Sequence, residues 1–97
     1  MREFVEDNAI NIKTLEQYVP VVKRVHGNSH PEFYEVSDLF EKIMAKLNDE
    51  ADSELNLATE FSDLCKVTDN YKVPSDTCES YEAVYKMLSE LDEYYQK

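Results

Sequence analysis

Gly27 is the only glycine in this 97-residue chain, and Pro20, Pro31 and Pro74 are its only prolines. Tight turns and hairpins draw on these two residue types. A chain this poor in both changes direction rarely. All-β sandwiches and barrels need many turns and are disfavoured on that ground. Long segments joined by few connections remain, and the length suits one domain over residues 1–97 rather than two.

The apolar pattern says what those segments are. Phe33, Val36, Leu39, Phe40, Ile43, Met44 and Leu47 recur at steps of three and four, the spacing of one helical face. Ser29 and Glu32 have capping-box spacing ahead of this helix, and Pro31 sits in the tolerated first turn. A third helix carries Leu57, Ala58, Phe61, Leu64 and Cys65. A last helix, capped by Ser75 or Asp76, turns Tyr81, Val84, Met87, Leu88, Leu91 and Tyr95 inward.

The segment 2–26 is less regular. Phe4, Val5, Ile10, Ile12, Leu15, Tyr18, Val19, Val22 and Val25 form an interrupted stripe. Thr14 and Gln17 could open a helix there, and Pro20 is expected to kink or split it. Gly27 would end it as a left-handed C′ residue. Asn48–Glu54 reads as a polar turn with Asp49, Asp52 or Ser53 as cap, and Lys66–Ser75 as a loop built on Asp69-Asn70. The expected fold class is all-α: a small up-and-down bundle of three clear helices plus a kinked or split N-terminal one.

The formal net charge is -11, from 21 acidic against 10 basic residues. That balance repels phosphates and anionic lipid, so neither direct nucleic-acid binding nor membrane association is expected. It favours basic partners or cations. No apolar run is long enough to span a bilayer. Residues 2–8 contain Arg2, Glu3, Glu6 and Asp7, unlike a secretory leader. A reducing, cytoplasmic setting is the expectation, with Cys65 and Cys78 as free thiols.

Few residues could carry chemistry. His26 and His30 flank the turn after the first segment; Gly27 and Pro31 interrupt the helix that would place them on one face. They are structural or surface residues, or a weak metal or switch site. Cys78 falls in the expected first turn of the last helix, where a thiolate is favoured, although Asp76 and Glu79 oppose it. Cys65 lies near the end of the third helix, and the two thiols could meet across the loop under oxidation. The acidic stretch Asp49–Glu54, which includes Glu50, lacks the glycine of a calcium loop. Tyr81, Tyr85, Tyr94 and Tyr95 are core and boundary residues or an interface. No phosphate loop, paired redox cysteines or nucleophile–base motif is present.

Two stretches carry a resemblance. One is Val22-Lys23-Arg24-Val25-His26-Gly27-Asn28-Ser29-His30-Pro31-Glu32-Phe33. The other is Thr68-Asp69-Asn70-Tyr71-Lys72-Val73-Pro74-Ser75-Asp76-Thr77-Cys78, followed by Tyr81, Tyr85, Leu88 and Glu90-Leu91. In this order they resemble the hemerythrin-like di-iron proteins of iron–sulfur cluster repair. The resemblance implies a four-helix bundle with a di-iron centre held by inward histidines and glutamates. Its ligand positions fall near Phe4-Val5, around Asn48–Asp52, near Ala51–Leu57, and at or beyond Lys97; none carries a histidine. Cys78 and the His26/His30 turn match family residues without a ligand role.

The resemblance therefore implies a shortened relative that keeps the bundle and lacks the site. The expected function is a non-enzymatic, metal-free module for protein interaction or regulation, working with a protein partner or as a homodimer. One alternative is a residual iron-binding or redox protein using Asp49, Glu50, His26 or His30. Another is an acidic nucleic-acid mimic that occupies a basic protein.

Overall fold

Apolar periodicity becomes helix throughout the computed structural model, which describes residues 2–47, 57–75 and 77–96. The helices are α1 (Arg2–Asp7), α2 (Ala9–His26), α3 (Glu32–Leu47), α4 (Ala58–Val67) and α5 (Glu79–Gln96), and no strand occurs among the described residues. The expected turn at Asn48–Glu54, with Glu50, lies outside them, as does Asp76. No helix of the described residues is long and apolar enough to cross a membrane.

The stripes of α3, α4 and α5 form one core. Phe33, Val36 and Ile43 of α3 meet Phe61 and Leu64 of α4 and Tyr81, Val84, Leu88 and Leu91 of α5 in a single buried cluster. From α2, Ile12, Leu15, Val19 and Val22 complete it. Helix α2 packs on both α3 and α5, α3 packs on α4, and α1 rests on α2. Across the α3–α4 seam, Lys46 Nζ lies 3.0 Å from Glu60 Oε1 and Oε2. The Tyr95 hydroxyl accepts the Leu57 amide at 2.9 Å, which ties the start of α4 to the end of α5.

The N-terminal segment is split in two, as expected, but at Asn8 rather than at Pro20. Helix α2 runs through Pro20. Pro20 and Glu16, whose carbonyl loses its amide partner, are both exposed, so water can satisfy that carbonyl. Thr14 lies inside α2 rather than capping it. The interruption falls at Asn8 (φ -113, ψ 17). Its backbone amide and its Nδ2 both donate to the Phe4 carbonyl, at 3.2 and 2.8 Å. A short amide side chain that competes for the backbone breaks a helix at this point.

Gly27 also departs from expectation. Its φ of -56 and ψ of -37 are right-handed, so no left-handed cap is formed. The glycine is needed for close approach: a Cβ there would lie 2.7 Å from both Cζ and Oη of Tyr34 and would overlap the Lys23 carbonyl oxygen. Alanine at a helical glycine ordinarily stabilises by about 0.4–1 kcal/mol. Here the sign should reverse, and Gly27→Ala should cost about 1–3 kcal/mol in urea denaturation. A stabilised variant would sink this account.

After α4 the chain passes through three consecutive left-handed residues, Asp69 (φ 52), Asn70 (φ 66) and Tyr71 (φ 61). The Asp69-Asn70 chemistry anticipates such a turn; Tyr71 does not, because a bulky side chain rarely adopts positive φ. Thr68 Oγ1 holds the turn by donating to the Leu64 carbonyl at 2.6 Å and accepting the Tyr71 amide at 2.8 Å. The strained backbone sends the Tyr71 hydroxyl to Asp92 Oδ2, 2.8 Å away.

Candidate functional site

The two stretches singled out in the sequence meet at one end of the bundle. His26 is the last residue of α2. Cys78 does not lie inside the first turn of α5, as expected, but immediately precedes it, and its carbonyl accepts the Glu82 amide at 3.1 Å. Thus the start of one 18-residue helix meets the end of another. His26 Nε2 lies 3.1 Å from Cys78 Sγ. Cys78 is exposed and His26 half-buried.

Behind this pair stands an aromatic wall. The His26 ring meets Tyr81 edge-on at 5.7 Å, and the His30 ring lies 5.4 Å from Tyr81. His30 Nδ1 is 3.1 Å from Glu32 Oε1, and the Tyr81 hydroxyl reaches the same oxygen at 3.4 Å. Glu32 therefore faces His30 and Tyr81 across the bundle end. The Tyr81 and Tyr85 hydroxyls are 3.0 Å apart. Burial, reinforced by the neighbouring phenol and the Glu32 carboxylate, holds the Tyr81 phenol well above its ordinary range. Burial likewise pushes Tyr85 upward.

The tyrosines fill core and boundary positions, the first of the two roles the sequence offered them. Tyr81 and Tyr85 are 0% and 1% exposed and belong to the core. Tyr94 and Tyr95 are half-buried and serve the chain itself. The Tyr94 hydroxyl donates to Asp7 Oδ2, and its ring meets Phe4 edge-on at 5.7 Å, so Tyr94 fastens α1 to α5. Tyr95 packs against Phe61 at 5.4 Å.

Nor do the thiols face one another as partners. Both are free. Cys65 Sγ donates to Asp92 Oδ2 at 3.2 Å, while Cys78 pairs with His26. Asp92 is buried on α5 and also accepts from Tyr71 and from Gln96 Nε2, the latter at 3.0 Å. Burial first, then the Asp92 carboxylate, pushes the Cys65 thiol upward; the same causes raise the Tyr71 phenol. Sequence reasoning passed over Asp92, although a signal existed: it lies four residues after Leu88 and seven after Tyr85, a carboxylate in an apolar row.

Of the ligand positions that the resemblance implies, only Phe4-Val5 and Leu57 lie among the described residues, and their side chains offer no ligand to iron. Phe4, at one expected ligand position, is a core side chain, and Val5 beside it is exposed. Among the described residues no three or more His, Cys, Asp or Glu side chains gather in a way that could hold a metal. His26 and His30 are brought together, with ring centroids 6.5 Å apart, but as partners of Cys78 and Glu32.

A second feature lies on the outside of α2. Ile10 is 82% exposed and Val25 60%; Tyr18 and Val21 are exposed as well. Sequence periodicity assigned Ile10, Tyr18 and Val25 to the inward stripe. Of the α2 part of that stripe only Ile12, Leu15, Val19 and Val22 are buried, which leaves the others on the solvent side. Exposed Lys13, Gln17 and Arg24 accompany them. Within an acidic chain, α2 carries Lys13, Lys23 and Arg24 against the single carboxylate Glu16, whereas α5 carries Glu79, Glu82, Glu90, Asp92 and Glu93 against Lys86. Comparison with family models, characterised proteins and solved structures found no match to this chain.

Proposed function

We propose that this chain is a non-enzymatic interaction module, a hemerythrin-like bundle without the iron site, that binds an acidic amphipathic helix along the outer face of α2. The observation that carries the reading is the exposed apolar row Ile10, Tyr18, Val21 and Val25, flanked by Lys13 and Arg24. An apolar row along a helix is how one helix recognises another, and the flanking charge selects the partner's sign. Although the net charge of the whole chain favours basic partners, the local cations of α2 suit a partner with carboxylates beside its own apolar row. A second copy fits less well. Its large exposed apolar side chains, among the described residues, are Val5, Ile10, Tyr18, Val21, Val25 and Tyr34. Pairing α2 with α2 would bring cations together, and acidic α5 offers no such row. The hemerythrin-like reading draws support from the helical bundle and from the meeting of the two quoted stretches through His26 and Cys78.

The test uses a fluorescent synthetic helix of about 20 residues, with leucine at helical spacing flanked by glutamate, titrated by anisotropy. Micromolar binding that weakens about tenfold in Lys13→Glu/Arg24→Glu, and equally in Val21→Ser/Val25→Ser, is expected. Equal binding by a lysine version of the probe would overturn the charge argument. No binding, or a chain that sediments as a dimer through α2, would overturn the choice of partner.

A further inference from the structure

The Cys78–His26 pair plays no part in binding along α2, and its geometry is that of a thiol with a base. We infer that Cys78 is a modification site for thiol–disulfide exchange, with His26 as its proton acceptor and small-molecule disulfides such as glutathione disulfide as the co-reactant.

Two independent observations carry this. First, sulfur and imidazole come from different helices and still meet at 3.1 Å, within reach of a proton transfer. Second, Cys78 is exposed, so a disulfide can reach its sulfur. Cys78 immediately precedes α5, and the last turn of α2 carries Lys23, Arg24 and His26. Other charged groups at this end are Glu32, Glu79 and Glu82, with His30 beside Tyr81. Glu32 is engaged by His30 and Tyr81 rather than by the thiol.

The exchange balances without a further oxidant. His26 Nε2 takes the Cys78 proton. The thiolate attacks one sulfur of the disulfide, a protein–glutathione S–S bond forms, and the original S–S bond breaks. The departing glutathione thiolate carries the electron pair and takes the proton back from His26. One disulfide is consumed and one is made.

Cys65 is the internal control. Its sulfur is half-buried and donates to the Asp92 carboxylate, which opposes formation of a thiolate. Both cysteines can therefore be followed in the same intact protein.

The experiment incubates reduced wild-type protein with glutathione disulfide at pH 7 and reads each cysteine by peptide mass. Cys78 should acquire glutathione at least roughly tenfold faster than Cys65. His26→Gln should slow Cys78 by about tenfold, leave Cys65 unchanged and leave the urea midpoint within error. His26→Lys, which supplies a cation but no base near neutrality, separates proton acceptance from simple attraction and should remain slow. Equal rates at the two cysteines would overturn the proposal, as would a Cys78 rate indifferent to His26→Gln in a folded variant. Should His26→Gln lose stability, the wild-type ratio of the two cysteines still decides.

Discussion

Phe33→Ala should cost about 3–5 kcal/mol of folding free energy, read from the urea midpoint. Phe33 has no exposed surface. Its ring lies 5.2 Å from Tyr81 and stacks on Tyr85 at 6.4 Å, 5° from parallel. Truncation would remove both ring contacts and leave a cavity where α3 meets α5. A domain of this size has roughly 5–15 kcal/mol in total, so the variant would retain little margin. Tyr81→Phe supplies the contrast. It keeps the ring and deletes only the hydroxyl near Glu32 and Tyr85, a loss of about 1 kcal/mol. If the two substitutions cost the same, ring packing is not what holds this end together.

Alkaline pH should unfold the chain through its buried tyrosines. Burial favours the neutral phenol, so Tyr81, Tyr85 and Tyr71 all titrate above their ordinary value of 10.0 in the folded state. Below that value both folded and unfolded chains hold these protons, and stability is indifferent to them. Above it the unfolded chain releases protons that the folded chain keeps. Stability is therefore fully present below the unfolded pKa and is lost as pH rises toward the folded one. Each buried phenol contributes a slope of about 1.4 kcal/mol per pH unit in that window. Cys65, raised from 9.0, begins the decline earlier. Helical circular dichroism should hold to about pH 9 and then collapse cooperatively, with tyrosinate absorbance from the buried phenols rising in the same step. Tyr81→Phe should flatten the descent. Full tyrosinate absorbance while the helices persist would contradict the buried placement.

Much of the architecture was legible because helix formation here is a local matter. The row from Phe33 to Leu47 specifies α3, whose described core residues fall on the anticipated face. The last helix was equally legible, except that Tyr85 and Asp92 join its buried side and Tyr95 only half does. The N-terminal segment was harder. Its apolar residues populate two faces of α2, and composition alone cannot say which face finds a partner. Ile10 and Val25 looked like core and are solvent-exposed because Ile12, Leu15, Val19 and Val22 already fill the space against α3 and α5.

The site was legible only as a set of parts. His26, His30 and Cys78 stood out by residue type, but the sequence offered metal binding, a surface role or a Cys65–Cys78 pairing with no means of choosing. Pairing depends on where helix ends meet, and 52 positions separate His26 from Cys78. Asp92 was hidden for a similar reason: its acceptor role exists only because the left-handed turn at Tyr71 and the end of α4 bring a phenol and a thiol to it.

By itself, then, the sequence determined an all-helical chain and most of its inward faces, because periodicity and scarce turn residues act within a few neighbours along the backbone. Only the tertiary structure decided which cysteine keeps company with which base, which tyrosines are sealed in the core, and which apolar row of α2 faces solvent. Those outcomes depend on packing between segments distant in the chain, where burial and close approach outweigh local preference.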